Sequence, residues 1–227
     1  YVSHYLIWNY WLKKCVNRLK TLNKEIKGQL FVISAPSGAG KSSLISDLIS
    51  KGNTLELSIS ATTRSARTGE ENAKHYFFIE DSEFDALKSK GAFIENACVH
   101  GHQYGTLKSY IEERLNNGIN IILDIDVQGF MQIKEAGVSN ISIFIIPPSL
   151  SELEERLIKR NLDSKEVIET RLINAKDELS YAKEFDFIIL NDEYDMALKN
   201  LSNIVLERKL DTIDNKKNSK ILIDLLS

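Results

Sequence analysis

Near-continuous apolar runs recur along the chain at Leu30–Ile33, Ile119–Asp124, Ile141–Ile146 and Phe185–Leu190, each rich in β-branched or aromatic residues. A strand with one wet face alternates apolar and polar positions, whereas a run without alternation reads as a strand buried on both faces. With helical sequence between the runs, the pattern predicts an α/β fold, a parallel sheet flanked by helices. A helix is expected from Lys41 to about Ile49, and a strand over the alternating Thr54–Ser60. In such a fold the ligand lies beyond the carboxyl ends of the strands.

Two segments interrupt the rhythm. Ala61–Tyr110 holds a polar loop, short strands around Tyr76–Ile79 and Phe93–Val99 and a short helix after Ser82, and reads as an inserted lobe over about 61–110. The region of about 156–171 is helical on both sides of Asn161-Leu162-Asp163-Ser164 and rich in arginine, as suits a mobile lid. The main domain is expected over 29–208, followed by a 209–227 tail with a charged linker, Asp214–Lys217, and a docked helix around Ile221–Leu226. Residues 1–28 are expected to be an N-terminal extension outside the core. Their apolar run Tyr5–Leu12 is too short to span a bilayer, and its lysines follow it, the reverse of a signal peptide. A helix lying on a membrane surface is the alternative for this segment.

The stretch Ala35-Pro36-Ser37-Gly38-Ala39-Gly40-Lys41-Ser42-Ser43 sits between the first apolar run and the first helix, where a phosphate-binding loop belongs. Gly38 and Gly40 let backbone N–H groups curl around phosphate oxygens, Lys41 reaches the β- and γ-phosphates, and Ser42 offers a hydroxyl to Mg²⁺. The helix that follows directs its positive end at the anion. The strict pattern G-x-x-x-x-G-K-[ST] is met except at its first position, Ala35; a Gly-Ser turn with a solvated lysine is the bland alternative.

At 227 residues and 43% hydrophobic the chain can bury a sizeable core as one domain with lobes. A net charge of −3 argues against a protein that coats nucleic acid, so a small nucleotide is the expected ligand. Cys15 and Cys98 suggest neither a disulfide framework nor a zinc site, which fits a reducing cytoplasm, and His4, His75, His100 and His102 lack metal-ligand spacing.

The loop, together with Ser60-Ala61-Thr62-Thr63-Arg64-Ser65-Ala66-Arg67-Thr68-Gly69-Glu70, Phe93-Ile94-Glu95, Tyr104-Gly105-Thr106 and Leu123-Asp124-Ile125-Asp126-Val127-Gln128-Gly129, resembles the guanylate kinases. The resemblance runs from about Gln29 to Arg208 and implies a P-loop NTPase fold whose inserted lobe binds GMP and whose lid carries arginines. It implies transfer of the γ-phosphoryl of ATP to GMP with Mg²⁺, and no nucleic-acid or membrane partner; oligomeric state stays open. It places Arg64, Arg67, Glu70, Tyr76 and Tyr104 around the GMP phosphate, and Ser60, Glu95, Thr106 and Asp126 at the guanine. Asp124 falls at the Mg²⁺ position, reached through water. Arg156, Arg160 and Arg171 match the arginines of the ATP phosphates and Asn191 a position near the adenine. Guanidinium forks and phenolic donors suit a dianionic monophosphate on chemical grounds as well.

Blander roles compete for several of these residues: a solvated loop for Arg64 and Arg67, a helix N-cap for Asp126, exposed helix ion pairs for the lid arginines. The chain departs from the family at Ala35, at Ala73 where a glycine often stands, and at Lys159-Arg160-Asn161 in place of Gly-Arg-Gly. A regulatory GTPase is disfavoured because the only approach to N-K-x-D is Asn215-Lys216-Lys217-Asn218. A protein-binding module of the same fold is disfavoured by the intact loop, and a different small-molecule kinase by Glu95, Thr106 and Asp126. Because every candidate ligand-binding residue follows the first strand, a chain beginning near Lys27 is expected to fold and keep its activity. Circular dichroism and turnover of the shortened protein check this, and a folded but inactive product would assign the extension to the site.

Overall fold

The computed structural model describes residues 27–99, 101–159 and 165–226, so residues 1–26 and the lid residue Arg160 lie outside the described residues. The elements run β1 (Leu30–Ser34), α1 (Lys41–Lys51), β2 (Leu55–Leu57), β3 (Ala61–Thr62), β4 (Phe77–Phe78), α2 (Asp81–Ser89), β5 (Phe93–Val99) and β6 (His102–Leu107). They continue α3 (Lys108–Asn116), β7 (Asn120–Asp124), α4 (Val127–Glu135), β8 (Ile141–Ile146), α5 (Leu150–Lys159), α6 (Lys165–Ser180), β9 (Phe187–Leu190), α7 (Tyr194–Val205) and α8 (Asn215–Leu226).

Five strands pair in parallel in the order β2-β7-β1-β8-β9. Successive side chains of β1 point to opposite faces. Leu30 and Val32 pack with Val127, Phe130 and Ile133 of α4, while Phe31 and Ile33 pack with Leu44, Ile45 and Leu48 of α1 and with Ala197, Leu201 and Ile204 of α7. Both sets are buried, which explains the missing alternation in the sequence. Since α1 leaves β1 onto one face and α4 leaves the neighbouring β7 onto the other, a crevice opens beyond their carboxyl ends, where ligands bind in open α/β sheets.

The last expected strand begins later than its apolar run. Phe185 is taken up as a core anchor, its ring 3.8 Å from that of Phe130 and 5.0 Å from that of Phe144, and the strand proper starts at Phe187. The expected charged linker is also shorter, because Asp214 accepts the Lys217 N–H at 3.0 Å and so starts α8 inside it. Helix α8 docks through Leu222 and Leu225. Its Asn215 Oδ1 accepts the Ile188 N–H at 3.1 Å, its Asn218 Nδ2 donates to the Ile188 carbonyl at 2.7 Å, and Asn215 Nδ2 donates to the Asp186 carbonyl at 3.0 Å.

Between β2 and β7 the chain builds a second sheet, ordered β4-β3-β6-β5, with β3 parallel to β4 and antiparallel to β6. Ala61, Phe84 and Phe93 are buried at its centre, the two phenylalanine rings stacked at 4.4 Å. In the loop entering β4, Ala73 adopts a left-handed conformation at φ 59° while its N–H donates to the Tyr76 carbonyl at 2.8 Å. An L side chain there costs about 1–2 kcal/mol, and glycine removes that strain at an entropic cost of roughly 0.5–1 kcal/mol. Ala73→Gly is therefore expected to stabilise the fold by about 0.5–1 kcal/mol, raising the thermal midpoint by about 1–4 °C. Calorimetry checks this, and a lowered midpoint would contradict it.

Candidate active site

The phosphate loop spans the turn from β1 to α1. Gly38 at φ 95° and Gly40 at φ 92° are both left-handed, a conformation that side chains disfavour, and Gly40 is the N-cap of α1. A Cβ on Gly40 would stand 2.4 Å from Asn191 Nδ2. That amide, on a residue only 4% exposed, donates to the Ala39 carbonyl at 2.7 Å, and the Asn191 carbonyl accepts from Arg156 Nη2 at 3.1 Å. Lys41 forms an ion pair with Asp124 at the end of β7 and donates to the Ile125 carbonyl at 3.3 Å. Ala35, Pro36 and Ala39 are buried beneath the loop, and Ser37, Ser42 and Ser43 are exposed.

A cavity of about 130 Å³ opens between the main sheet and the lobe, lined by Ser58, Ser60, His75, Tyr76, Thr106 and Asp124 among others. Behind it Thr106 Oγ1 donates to Glu95 Oε1 at 2.6 Å. Burial pushes the Glu95 carboxyl above the ordinary carboxylate range, with the Asp126 charge adding to the shift and the Thr106 hydroxyl opposing it. Glu95 Oε2 would lie 3.2 Å from a Cβ on Gly129, so the first turn of α4 approaches the carboxylate as closely as a glycine allows. Asp126 caps that helix, accepting the Gly129 N–H at 2.8 Å.

At the outer end of the lobe Arg64 and Glu70 pair bidentately at 2.9 and 3.0 Å, and Glu70 also accepts the Arg67 N–H at 2.7 Å. The Arg64 guanidinium lies 5.5 Å from the Tyr76 ring centroid, and it interacts with Tyr104, whose ring is 6.1 Å from that of Tyr76. Hydrogen bonding to Arg64, then to the Arg67 N–H, holds the Glu70 carboxyl down to about 2.

A phosphate loop, a basic aromatic cluster and a buried carboxylate around one cleft agree with the comparisons to known proteins. The family model for guanylate kinase matches residues 27–208. The chain belongs to the guanylate kinase family. A guanylate kinase of Shewanella violacea is 50% identical over 185 residues, covering 81% of this chain and 89% of the relative. One of Pseudoalteromonas translucida is 47% identical over 186 residues, covering 82% and 90%. The crystal structure of guanylate kinase from Anaplasma phagocytophilum superimposes with a TM-score of 0.61 at 30% identity, over 88% of this chain and 96% of that one.

The family's expected positions fall into distinct groups in this member. Ser60, Tyr76, Thr106 and Asp124 line one cavity, with Glu95 bonded to its wall, and Arg64, Glu70, Tyr76 and Tyr104 form a second, contiguous cluster. The Arg67 side chain is exposed beside it. Arg156 on α5 is tied to Glu152 at 2.9 Å and to Asn191, whereas Arg171 lies on α6, and Arg160 falls outside the described residues. Asn191 braces the loop through its amide nitrogen. Ser58 and His75 line the cavity but were not picked out from the sequence. The expected strand over Thr54–Ser60 is realised only over Leu55–Leu57, and the signal available for Ser58 was its place two residues before Ser60 in that alternating run; its Oγ is buried without a protein partner.

The Arg64–Glu70 pair has a defined acid limit. Because the folded-state value of Glu70 lies below the ordinary 4.5, the pair contributes fully above that pH and is lost as pH falls toward about 2. An NMR titration of the Glu70 carboxyl carbon should show a midpoint near 2, moved most of the way back toward 4.5 in Arg64→Gln. A parent midpoint near 4.5 would contradict the pairing.

Proposed function

We propose that the chain transfers the γ-phosphoryl of ATP to GMP, giving ADP and GDP, with the base read by Glu95 and the GMP phosphate held by the Arg64 cluster. The observation that carries this reading is the buried Glu95–Thr106 pair at the wall of the cavity between lobe and phosphate loop. Guanine presents N1–H and N2–H donors, which a carboxylate accepts, and Ser60 can donate to O6, the single Thr106 hydroxyl hydrogen being given to Glu95. Adenine presents an acceptor at N1, which leaves the buried carboxylate unpaired. Sites built on such polar pairing discriminate by about 10⁴ or more.

At the other end Arg64, pinned by Glu70 and flanked by Tyr76 and Tyr104, with Arg67 beside it, offers guanidinium and phenolic donors to a dianionic phosphate. Glu70 acts by orienting Arg64, since an ionised carboxylate has no donor for a phosphate. The loop residues Ala35 to Ser43 cradle the ATP phosphates, Lys41 exchanges Asp124 for phosphate oxygens, and Arg156 and Arg171, with Arg160, supply positive charge where the transferring phosphoryl needs it. Asn191 serves this arrangement by keeping the loop in shape beside the adenine position.

The Asp124 carboxylate and the Ser42 hydroxyl form an all-oxygen donor set at the loop, which fits Mg²⁺ with most of its waters retained, Asp124 reaching it through water. Mg²⁺ bound with ATP would neutralise charge on the phosphates. The attacking GMP phosphate oxygen is already ionised, so no general base is needed; positioning and charge neutralisation carry the in-line transfer.

A coupled assay of ADP formation with ATP and each nucleoside monophosphate tests the reading; equal use of AMP, CMP or UMP would refute it. Glu95→Gln is expected to lower kcat/KM for GMP about 10- to 100-fold, from the roughly 1.5–3 kcal/mol of a charge-assisted bond. The raised Glu95 carboxyl binds guanine in its ionised form, so the KM for GMP should climb more steeply in the parent than in the variant as pH falls through that raised value, the protonation of the GMP phosphate being common to both. In the absence of GMP the sign reverses. A carboxyl raised on folding costs stability as pH rises above the ordinary value, so Glu95→Gln should unfold at a higher temperature than the parent at neutral pH.

A further inference from the structure

Strand β5, which carries Glu95, has a strand neighbour on one side only, β6. The pairing is irregular next to the carboxylate. Phe93 faces Leu107 and Glu95 faces Thr106, so β5 advances two residues where β6 advances one, and Ile94 is the extra residue. A bulge of this kind bends the strand, re-aims the side chain beside it and interrupts the ladder that would otherwise fix its position. Helix α4 supplies a second support from the other edge. Gln132 Oε1 accepts the Asn96 N–H at 3.1 Å, and Gln132 Nε2 donates to the Asn96 carbonyl at 2.9 Å. Both main-chain groups of a residue in an extended strand point to the same edge and those of its neighbour to the other, so one amide satisfies the outward pair of Asn96.

Gly129 precedes Gln132 by three residues and shares its face of α4. That face therefore meets β5 twice: at the Glu95 carboxylate, where a Cβ on Gly129 would stand 3.2 Å from Oε2, and at the main chain of the next residue. Two neutral hydrogen bonds stabilise modestly once the cost of ordering a glutamine side chain is set against them. What they add is geometry, because two bonds from one planar amide fix the rotation of the strand against the helix as well as its distance. Resting on the phosphotransfer reading above, we propose that Gln132 is a positioning residue for guanine recognition: by gripping Asn96 just after the bulge it sets where the Glu95 carboxylate stands against the N1–H and N2–H of the base.

The test uses the full chain with Gln132→Ala, Gln132→Met, Glu95→Gln and the Glu95→Gln/Gln132→Ala double variant, assayed with GMP and with IMP, whose base keeps N1–H but lacks the N2 amino group. Gln132→Ala should raise the KM for GMP about three- to tenfold and lower the GMP-over-IMP ratio of kcat/KM about threefold or more, while the KM for ATP stays within about twofold. Gln132→Met keeps the length of the side chain without its amide and should be as impaired as the alanine variant. In the double variant kcat/KM for GMP should fall little below that of Glu95→Gln alone, as expected of a residue that acts through another. An unchanged GMP-over-IMP ratio, recovery by methionine, additive losses, or a lowered melting temperature with the KM for GMP unmoved would each overturn the proposal. A parent chain that fails to phosphorylate GMP would refute the functional reading. Calorimetric titration with GMP alone would then decide the case of Gln132, weaker binding by Gln132→Ala supporting it and equal binding, or none by the parent, overturning it.

Discussion

A loop that binds an anion through its own N–H groups cannot also use those groups to hold its shape. Apart from the Ala39 N–H, which donates to the Pro36 carbonyl at 3.1 Å, the turn from Ala35 to Gly40 meets this constraint from outside. Two left-handed glycines set its path, and the contacts that fix it act on its carbonyl and its periphery: Asn191 on the Ala39 carbonyl and Arg156 on Asn191. These partners come from the end of β9 and from α5, while Lys41 is met by Asp124 and Ile125 at the end of β7. A parallel sheet brings those carboxyl ends side by side, so the crevice, the braces and the placement of Lys41 follow from one topology.

The same cleft shows how a protein with excess negative charge keeps a site for polyanions. Lys41 faces Asp124, Arg64 is gripped by Glu70 and Arg156 by Glu152. Pairing limits repulsion among the cations when no phosphate is present and holds each one near its working position. A half-exposed pair of this kind contributes little to stability. Its importance lies in orientation: Glu70 fixes the Arg64 fork beside Tyr76 and Phe78, with Nη1 also donating to the Ser65 carbonyl at 2.8 Å.

The β1, β7 and β8 strands were readable because burial on both faces leaves an unmistakable apolar run, and the loop because glycine, lysine and serine are demanded there by phosphate geometry. The lobe was harder to read. Strand β6, His102–Leu107, has no apolar alternation and exists because β5 offers it an antiparallel partner across the Gly101 turn, while the two-residue β3 is fixed by β6 and β4 together. Asp126 carried two readings, N-cap and base contact, and its side chain does cap α4. For Asn191 the residue type could not reveal a partner 152 positions away; its amide goes to the loop.

The asparagines of α8 have a consequence beyond local packing. An outermost strand leaves a row of backbone donors and acceptors open, and such a row is a template on which strands of other molecules can grow. Asn215 and Asn218 occupy the open groups of β9 at Ile188, and of Asp186 just before it, with side-chain amides, which mimic a neighbouring strand without being one. On the opposite margin β2 is kept to Leu55–Leu57 and carries Glu56, ion-paired to Arg114. The terminal helix thus acts as a guard against aggregation, ending the sheet chemically where a barrel would end it by closure.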